Sequence, residues 1–107
     1  MSIEHVQFSL PGLLAVDQIS QQSRATYKRT LTKVRMSCLG TLPSGSAVTV
    51  KLRIAGVVQS AVYTLADATR SQETTAASVA IAADTWHDFI VVTNGSAADV
   101  IVEGAFE

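Results

Sequence analysis

The sequence predicts an all-β chain folded as an antiparallel β-sandwich of the jelly-roll or immunoglobulin-like type. Apolar and polar residues alternate along several segments, which is the pattern of half-buried strands. Turn sequences rich in Gly, Pro and Asn separate these segments at short intervals, and no helical stripe alternates with them. We expect seven or eight short strands. The 107 residues suffice for a single domain with one core.

The N-terminal region, residues 1–30, is predicted to hold one strand followed by an arm or long loop. Val6, Phe8 and Leu10 alternate with polar residues, and Pro11-Gly12 is expected to end that strand. Residues 17–23 are polar and typical of a loop or an arm. Residues 31–107 are expected to form the body of the sandwich.

The clearest pattern is a predicted β-hairpin over residues 31–54, turning at Leu39 to Ser46. Because successive strand side chains point to opposite faces, one face is apolar and the other polar. The predicted inward residues are Val34, Met36, Cys38, Val48, Val50, Leu52 and Ile54. The predicted outward cations are Lys33, Arg35, Lys51 and Arg53.

The second half of the chain is predicted to add further strands. Residues 57–65 alternate, although their buried face is undecided from the sequence. The alanine content of residues 76–83 would suit a helix, but Thr74-Thr75 and the alternation of Val79 and Ile81 favour an extended segment. Residues 86–93 and 100–106 are predicted strands, joined by a turn at Asn94 to Asp99.

The composition indicates a subunit that contacts other proteins. Charged residues make up 16% of the chain, whereas about 25% is usual. Some exposed surface must therefore be apolar, which is typical of an interface. The net charge of -1 argues against a nucleic-acid binder. No segment approaches the ~20 apolar residues that cross a bilayer, and no export signal is apparent, so no membrane partner is expected.

The charges are segregated along the chain. Residues 18–66 contain seven cationic residues and no Asp or Glu, whereas Arg70 is the only cation among the residues from Asp67 onward, which include seven acidic ones. The two halves are expected to pair either within the fold or head to tail between subunits.

No motif for catalysis, a cofactor or a metal is apparent, so the chain is not predicted to be an enzyme. Residues 40–46 have the glycine spacing of a phosphate loop but lack its lysine, and no nucleophile elbow is present. Asp84, His87 and Asp88 are the nearest approach to a metal cluster, but alternation turns His87 away from both carboxylates. Cys38 has no partner for a disulfide and is expected in the core.

The four outward cations of the hairpin are the only candidate binding residues. Lys33, Arg35, Lys51 and Arg53 would emerge together on one sheet face. They would solvate that face, contact an acidic protein neighbour or, least favoured, bind nucleic acid.

The chain resembles a small β-sandwich module of bacteriophage virion proteins, found in capsid decoration (cement) proteins and tail-fibre segments. The resemblance runs over residues 30–106 and rests on T-x-x-K-V-R at Thr30 to Arg35 and G-T-x-P-x-G-S-A-x-T-V at Gly40 to Val50. It continues with an alanine-rich stretch ending at Asp84 and an alternating strand. Ala83-Asp84 replaces the Gly-Asp of the pattern, and Ala55-Gly56 replaces its Asn-Gly turn.

The resemblance implies a non-enzymatic decoration protein that stabilises the virion on the outer capsid surface, after synthesis in the host cytoplasm. Its implied partners are the major capsid protein and further copies of itself, as a homodimer or homotrimer, with residues 1–30 as an arm on a neighbour. A tail-associated or receptor-binding module is one alternative. A carbohydrate-binding sandwich is another; it would require solvent-exposed aromatic platforms, for which the chain offers only Trp86, Tyr27 and Tyr63.

Overall fold

The computed structural model describes residues 3–107, so Met1 and Ser2 of the predicted N-terminal region lie outside the described residues. The regular structure of the described part consists of eight strands and no helix. The strands are β1 (Glu4–Leu13), β2 (Ser23–Ala25), β3 (Arg29–Cys38), β4 (Val48–Ile54), β5 (Val57–Leu65), β6 (Ser71–Ile81), β7 (Thr85–Asn94) and β8 (Ala98–Phe106). Within residues 3–107, no helix has the length and apolar character required to span a membrane.

The strands form two four-stranded antiparallel sheets in a jelly-roll topology. Sheet A has the order β1-β8-β3-β6, and sheet B has the order β2-β7-β4-β5. The pairs β1–β8, β2–β7, β3–β6 and β4–β5 are those of one long hairpin rolled into two layers. The predicted all-β sandwich is therefore confirmed, and the strand order identifies the jelly-roll form.

The core lies between the sheets and is built from the inward positions of the strands. Phe89 packs edge-on against Phe8 and Tyr63, with ring centroids 5.0 and 6.1 Å apart. Burying each such side chain stabilises the fold by roughly 1.5–3 kcal/mol. Ile54 is only partly buried but packs against this core. The predicted inward residues that are buried are Val34, Met36, Cys38, Val48, Val50 and Leu52.

The predicted hairpin over residues 31–54 is wrong. Its strands exist as β3 and β4, but β3 lies in sheet A and β4 in sheet B. Residues 39–47 therefore cross between the layers instead of joining neighbours in one sheet. The only connection within a sheet is the turn between β4 and β5, where Ala55 and Gly56 both have positive φ, 51° and 80°. That conformation is typical of a type I′ hairpin turn.

Within the ambiguous segment 66–83, residues 71–81 are extended and form β6, and the residues on either side contain turns, so the helical alternative is excluded. Pro11-Gly12 does not end β1, which continues to Leu13 through an irregularity in its pairing with β8. The sequence did not predict β2, which pairs with β7 at Ser23 to Ala25.

The predicted N-terminal arm packs against its own chain. The Ser20 N–H donates to the Phe89 carbonyl at 3.0 Å, and the Val91 N–H donates to the Gln18 carbonyl at 2.9 Å. Ile19 forms an isolated bridge with Ile90 in β7. Residues 17–20 thus prolong sheet B beyond the short strand β2.

Candidate functional site

The four predicted partner-binding cations do not form one cluster. Lys33 and Arg35 lie on β3 and Lys51 and Arg53 on β4, and these strands belong to different layers. All four side chains point away from the core, so the two pairs lie on opposite outer faces of the sandwich. The prediction of one shared basic face was wrong because it depended on the hairpin.

The cations of sheet A are paired with a neighbouring strand. Glu73 on β6 lies opposite Arg35 on β3, and its carboxylate is 3.0 Å from the Arg35 guanidinium and 3.7 Å from the Lys33 ammonium. The three side chains are roughly half exposed, so the pairing contributes little to stability. The segregated charges therefore pair within one chain, because basic residues of its first half contact an acidic residue of its second half.

The outer face of sheet B combines an aromatic ring, an ion pair and aliphatic side chains. We call it the Trp86 face. Alternation along β7 and β4, together with their cross-strand register, defines which side chains share it. Its members are Arg24, Lys51, Arg53, Val58, Val62, Trp86, Asp88 and Ile90.

An ion pair between Arg53 and Asp88 lies at the centre of the Trp86 face. The two residues are directly opposite on β4 and β7. The guanidinium donates from Nε and Nη2 to the two carboxylate oxygens, both at 2.7 Å. Asp88 is 2% exposed and Arg53 19% exposed. The hydrogen bonds from Arg53 to Asp88 raise the pKa of the guanidinium, and they hold both side chains in one geometry.

Trp86 supplies the exposed aromatic surface of this face. The residue lies two positions before Asp88 on β7, opposite Arg24 of β2, and 48% of its surface is accessible. Arg24 is itself directed to Asp84, at 3.0 Å. A large, half-exposed ring therefore lies beside charged side chains that hydrogen bonds hold in place. Such an arrangement can hold a ligand with both apolar and polar surfaces.

The other two predicted platform residues differ in accessibility. Tyr27 is exposed, in the segment that follows β2. Tyr63 is buried in the core and cannot contact a ligand, and this burial raises the pKa of its hydroxyl. Tyr63 as a platform was therefore a wrong prediction.

Alternation predicted that His87 points away from Asp84 and Asp88, and in the structure these three side chains do not come together. His87 points into the core and is 1% exposed, between the rings of Phe8 and Phe106. Asp88 points to the opposite face and Asp84 pairs with Arg24 in a turn. Within residues 3–107, no group of His, Cys, Asp and Glu is arranged to hold a metal ion.

The Trp86 face was not predicted as a site from the sequence. Alternation along β7 does set Trp86, Asp88 and Ile90 against His87 and Phe89, so the signal was present. The missing information was that β7 lies beside β4, because these strands are distant in the chain. Without that neighbour, the sequence did not identify Arg53 as the partner of Asp88.

The chain is similar to known proteins in its fold. No protein-family model and no curated protein matches the chain. One similar solved structure is the CBM36-1 domain of a multidomain xylanase from the hindgut metagenome of Trinervitermes trinervoides, with a TM-score of 0.60 and 10% identity over 96% of this chain and 94% of that chain. Another is a family 35 carbohydrate binding module from an environmental isolate, with a TM-score of 0.52 and 15% identity over 87% and 66%. Neither is named as a virion protein, so the phage resemblance is supported only in its β-sandwich architecture.

Proposed function

We propose that this chain is a non-catalytic carbohydrate-binding domain that holds its ligand on the Trp86 face. The observation that carries the proposal is the half-exposed Trp86 ring lying beside the Arg53–Asp88 ion pair. A sugar ring has an apolar C–H face and a rim of hydroxyl groups. The indole offers a surface on which the C–H face can stack, and the charged side chains around it offer hydrogen bonds to the hydroxyl groups.

The rigidity of the site supports the same function. Trp86 and Arg53 project from strands in the interior of sheet B, and the side chain of Arg53 is fixed by two hydrogen bonds to Asp88. Groups held in place before binding lose little conformational freedom when a ligand arrives. Lys51, two positions from Arg53 on the same face, forms no ion pair within residues 3–107 and adds a further donor.

The structural neighbours support the ligand class. They are a CBM36-1 domain of a xylanase and a family 35 carbohydrate binding module. The fold is shared, whereas the identities of 10% and 15% transfer no residue roles. The ligand assignment therefore depends on the Trp86 face itself.

The proposal is tested by binding to insoluble xylan, cellulose and chitin and to their soluble oligosaccharides. Trp86 is the only tryptophan, so its fluorescence reports contact directly. We expect one of these glycans to shift the emission, and Trp86→Ala to weaken binding by about tenfold, the value of one lost stacking contact.

Tyr27→Ala is the matched control, because it removes an exposed aromatic residue outside this face. Circular dichroism should show that both variants keep the β-sheet spectrum. No retention on any glycan, together with unchanged Trp86 emission, would refute carbohydrate binding.

A second candidate is the capsid decoration role, favoured by exposed aliphatic side chains in a chain of low charge. Leu13, Leu39, Val57 and Ile19 are each at least 45% exposed. Such surface suits a protein neighbour. This role predicts co-sedimentation with phage capsids, on the outer surface, and greater heat resistance of the decorated particles. Unchanged particle stability after addition of the protein would count against it.

A further inference from the structure

The outer faces of the two sheets differ in how their charges are compensated. On sheet A, Lys33 and Arg35 share the Glu73 carboxylate. On the Trp86 face of sheet B, the Lys51 ammonium has no ion-pair partner among residues 3–107. The Trp86 face therefore carries a positive charge that its own chain leaves available.

The neighbours of Lys51 explain why its charge is not compensated. Val62 of β5 and Ile90 of β7 lie directly opposite Lys51 on its two sides, and both are aliphatic. A lysine stem packs along such apolar surface and keeps its ammonium in water. The ammonium group has three N–H donors and no acceptor.

The polar groups closer to Trp86 are also mainly hydrogen-bond donors. Arg53 uses Nε and Nη2 for Asp88, so its Nη1 is left for a ligand. The Asp88 carboxylate is buried beneath this pair and cannot accept from a ligand. The indole N–H is a donor only. The exposed carboxylate beside them is Asp84, in the turn before β7, and Arg24 donates to it at 3.0 Å.

Resting on the carbohydrate binding proposed above, we propose that the Trp86 face takes an acidic polysaccharide. A sugar ring lies against the indole, and a carboxylate or sulfate group of the same chain accepts hydrogen bonds from the Lys51 ammonium and from Nη1 of Arg53. Hydrogen bonds between a cation and an oxyanion are about twice as strong as those between neutral groups. The sugar hydroxyls of a neutral chain gain less from these donors.

The spacing of the two contacts favours a polymer over a single sugar. Lys51 is level with Ile90, which lies four residues along β7 from Trp86. At about 3.3 Å per residue, this separation is roughly 13 Å along the strand. Linked sugars can contact both positions at once, whereas one sugar contacts only one of them.

Whole-molecule charge does not favour such a ligand. The net charge of the chain is -1, so a polyanion has no general attraction to this protein. Binding of an acidic polymer would therefore report the local excess of donors on the Trp86 face.

The test compares polymers that differ in charge and share a backbone, with the fluorescence of the single tryptophan, Trp86, as the readout. Polygalacturonate is titrated against its methyl-esterified form, and dextran sulfate against dextran. We expect at least one acidic polymer to bind at least about tenfold more tightly than its neutral match. The pair that shows this preference identifies the anion as carboxylate or sulfate. Added salt should weaken the binding, and the acidic monosaccharide should bind at least about tenfold more weakly than its polymer.

Lys51→Gln should weaken binding of the acidic polymer by about tenfold and leave binding of the neutral polymer unchanged. Lys33→Gln is the matched control, because it removes the same charge from the outer face of sheet A. Equal binding of acidic and neutral polymers, or acidic binding unchanged by Lys51→Gln, would overturn the acidic ligand and leave carbohydrate binding intact. No binding to any glycan, acidic or neutral, would overturn both.

Discussion

At the scale of single residues, burial determines how much each charged side chain contributes to the stability of the fold. The Arg24–Asp84 pair joins β2 to the turn before β7, and the Arg53–Asp88 pair joins β4 to β7, at 3.0 and 2.7 Å respectively. The first is more than half exposed and is surrounded by water, whereas Asp88 is 2% exposed. A buried carboxylate that loses its cation keeps the full desolvation penalty. The two pairs should therefore respond differently to the loss of one partner.

We expect Arg53→Met to lower the free energy of unfolding by about 3 kcal/mol, because it leaves Asp88 buried and uncompensated. Asp88→Asn should cost less, since the Arg53 side chain is 19% exposed and can turn to water. Arg24→Met is the matched control and should change stability by less than about 1 kcal/mol. Urea denaturation of the three variants measures these differences. Equal losses for Arg53→Met and Arg24→Met would show that the central ion pair has no special role.

Residue-level patterns predicted the faces of the strands but not their neighbours. The burial of Val34, Met36 and Cys38 follows from period-two alternation, which depends only on local geometry. The position of Arg53 relative to Lys33 depends on which layer each strand joins, and local geometry does not contain that information. For the same reason the Arg53–Asp88 pair, at the heart of the candidate site, was not predictable from spacing.

At the scale of elements, every connection except β4–β5 passes from one sheet to the other. This explains why the strands were predicted correctly whereas the hairpin over residues 31–54 was predicted wrongly. Residues 39–47 carry turn residues that suit either a hairpin or a crossover. The turn at Asn94-Gly95-Ser96 shows a stronger constraint. Gly95 has φ +55°, and a Cβ there would lie 2.8 Å from the Ser46 carbonyl oxygen, so glycine fits the crossover from β7 to β8.

β1 lies at one edge of sheet A, where the Gln21 side chain forms hydrogen bonds to its backbone. Gln21→Ala removes the side chain that bonds to Ser9 and Gln7, so both backbone groups become open to water. We expect the Ser9 amide to exchange faster and the free energy of unfolding to fall by about 1 kcal/mol. Gln22→Ala, at the adjacent exposed residue, is the control. Unchanged exchange at Ser9 would mean that Gln21 does not protect the edge.

At the scale of the whole molecule, the sandwich buries an ionisable group between its layers. His87 of sheet B packs against Phe8 and Phe106 of sheet A, and neither ring nitrogen has a hydrogen-bond partner within residues 3–107. Arg29 of β3 is also buried and lies over the Phe106 ring, 4.5 Å from its centroid, in an ion pair with Glu4 of β1. The contact between the two sheets at this end therefore requires an uncharged imidazole.

Burial lowers the pKa of His87 below its ordinary value of 6.5, and the charge of Arg29 lowers it further, whereas the Asp88 carboxylate acts in the opposite direction. As the pH falls through about 6.5, His87 takes up a proton in the unfolded chain. In the folded chain it does so only at a lower pH. The free energy of unfolding should therefore have its full value above pH 6.5. Below pH 6.5 it should fall by up to about 1.4 kcal/mol per pH unit, until the folded-state pKa of His87 is passed. Urea denaturation between pH 7.5 and about 5 measures this slope. His87→Phe should flatten it. An identical slope in the His87 variant would assign the acid sensitivity to the carboxylates instead.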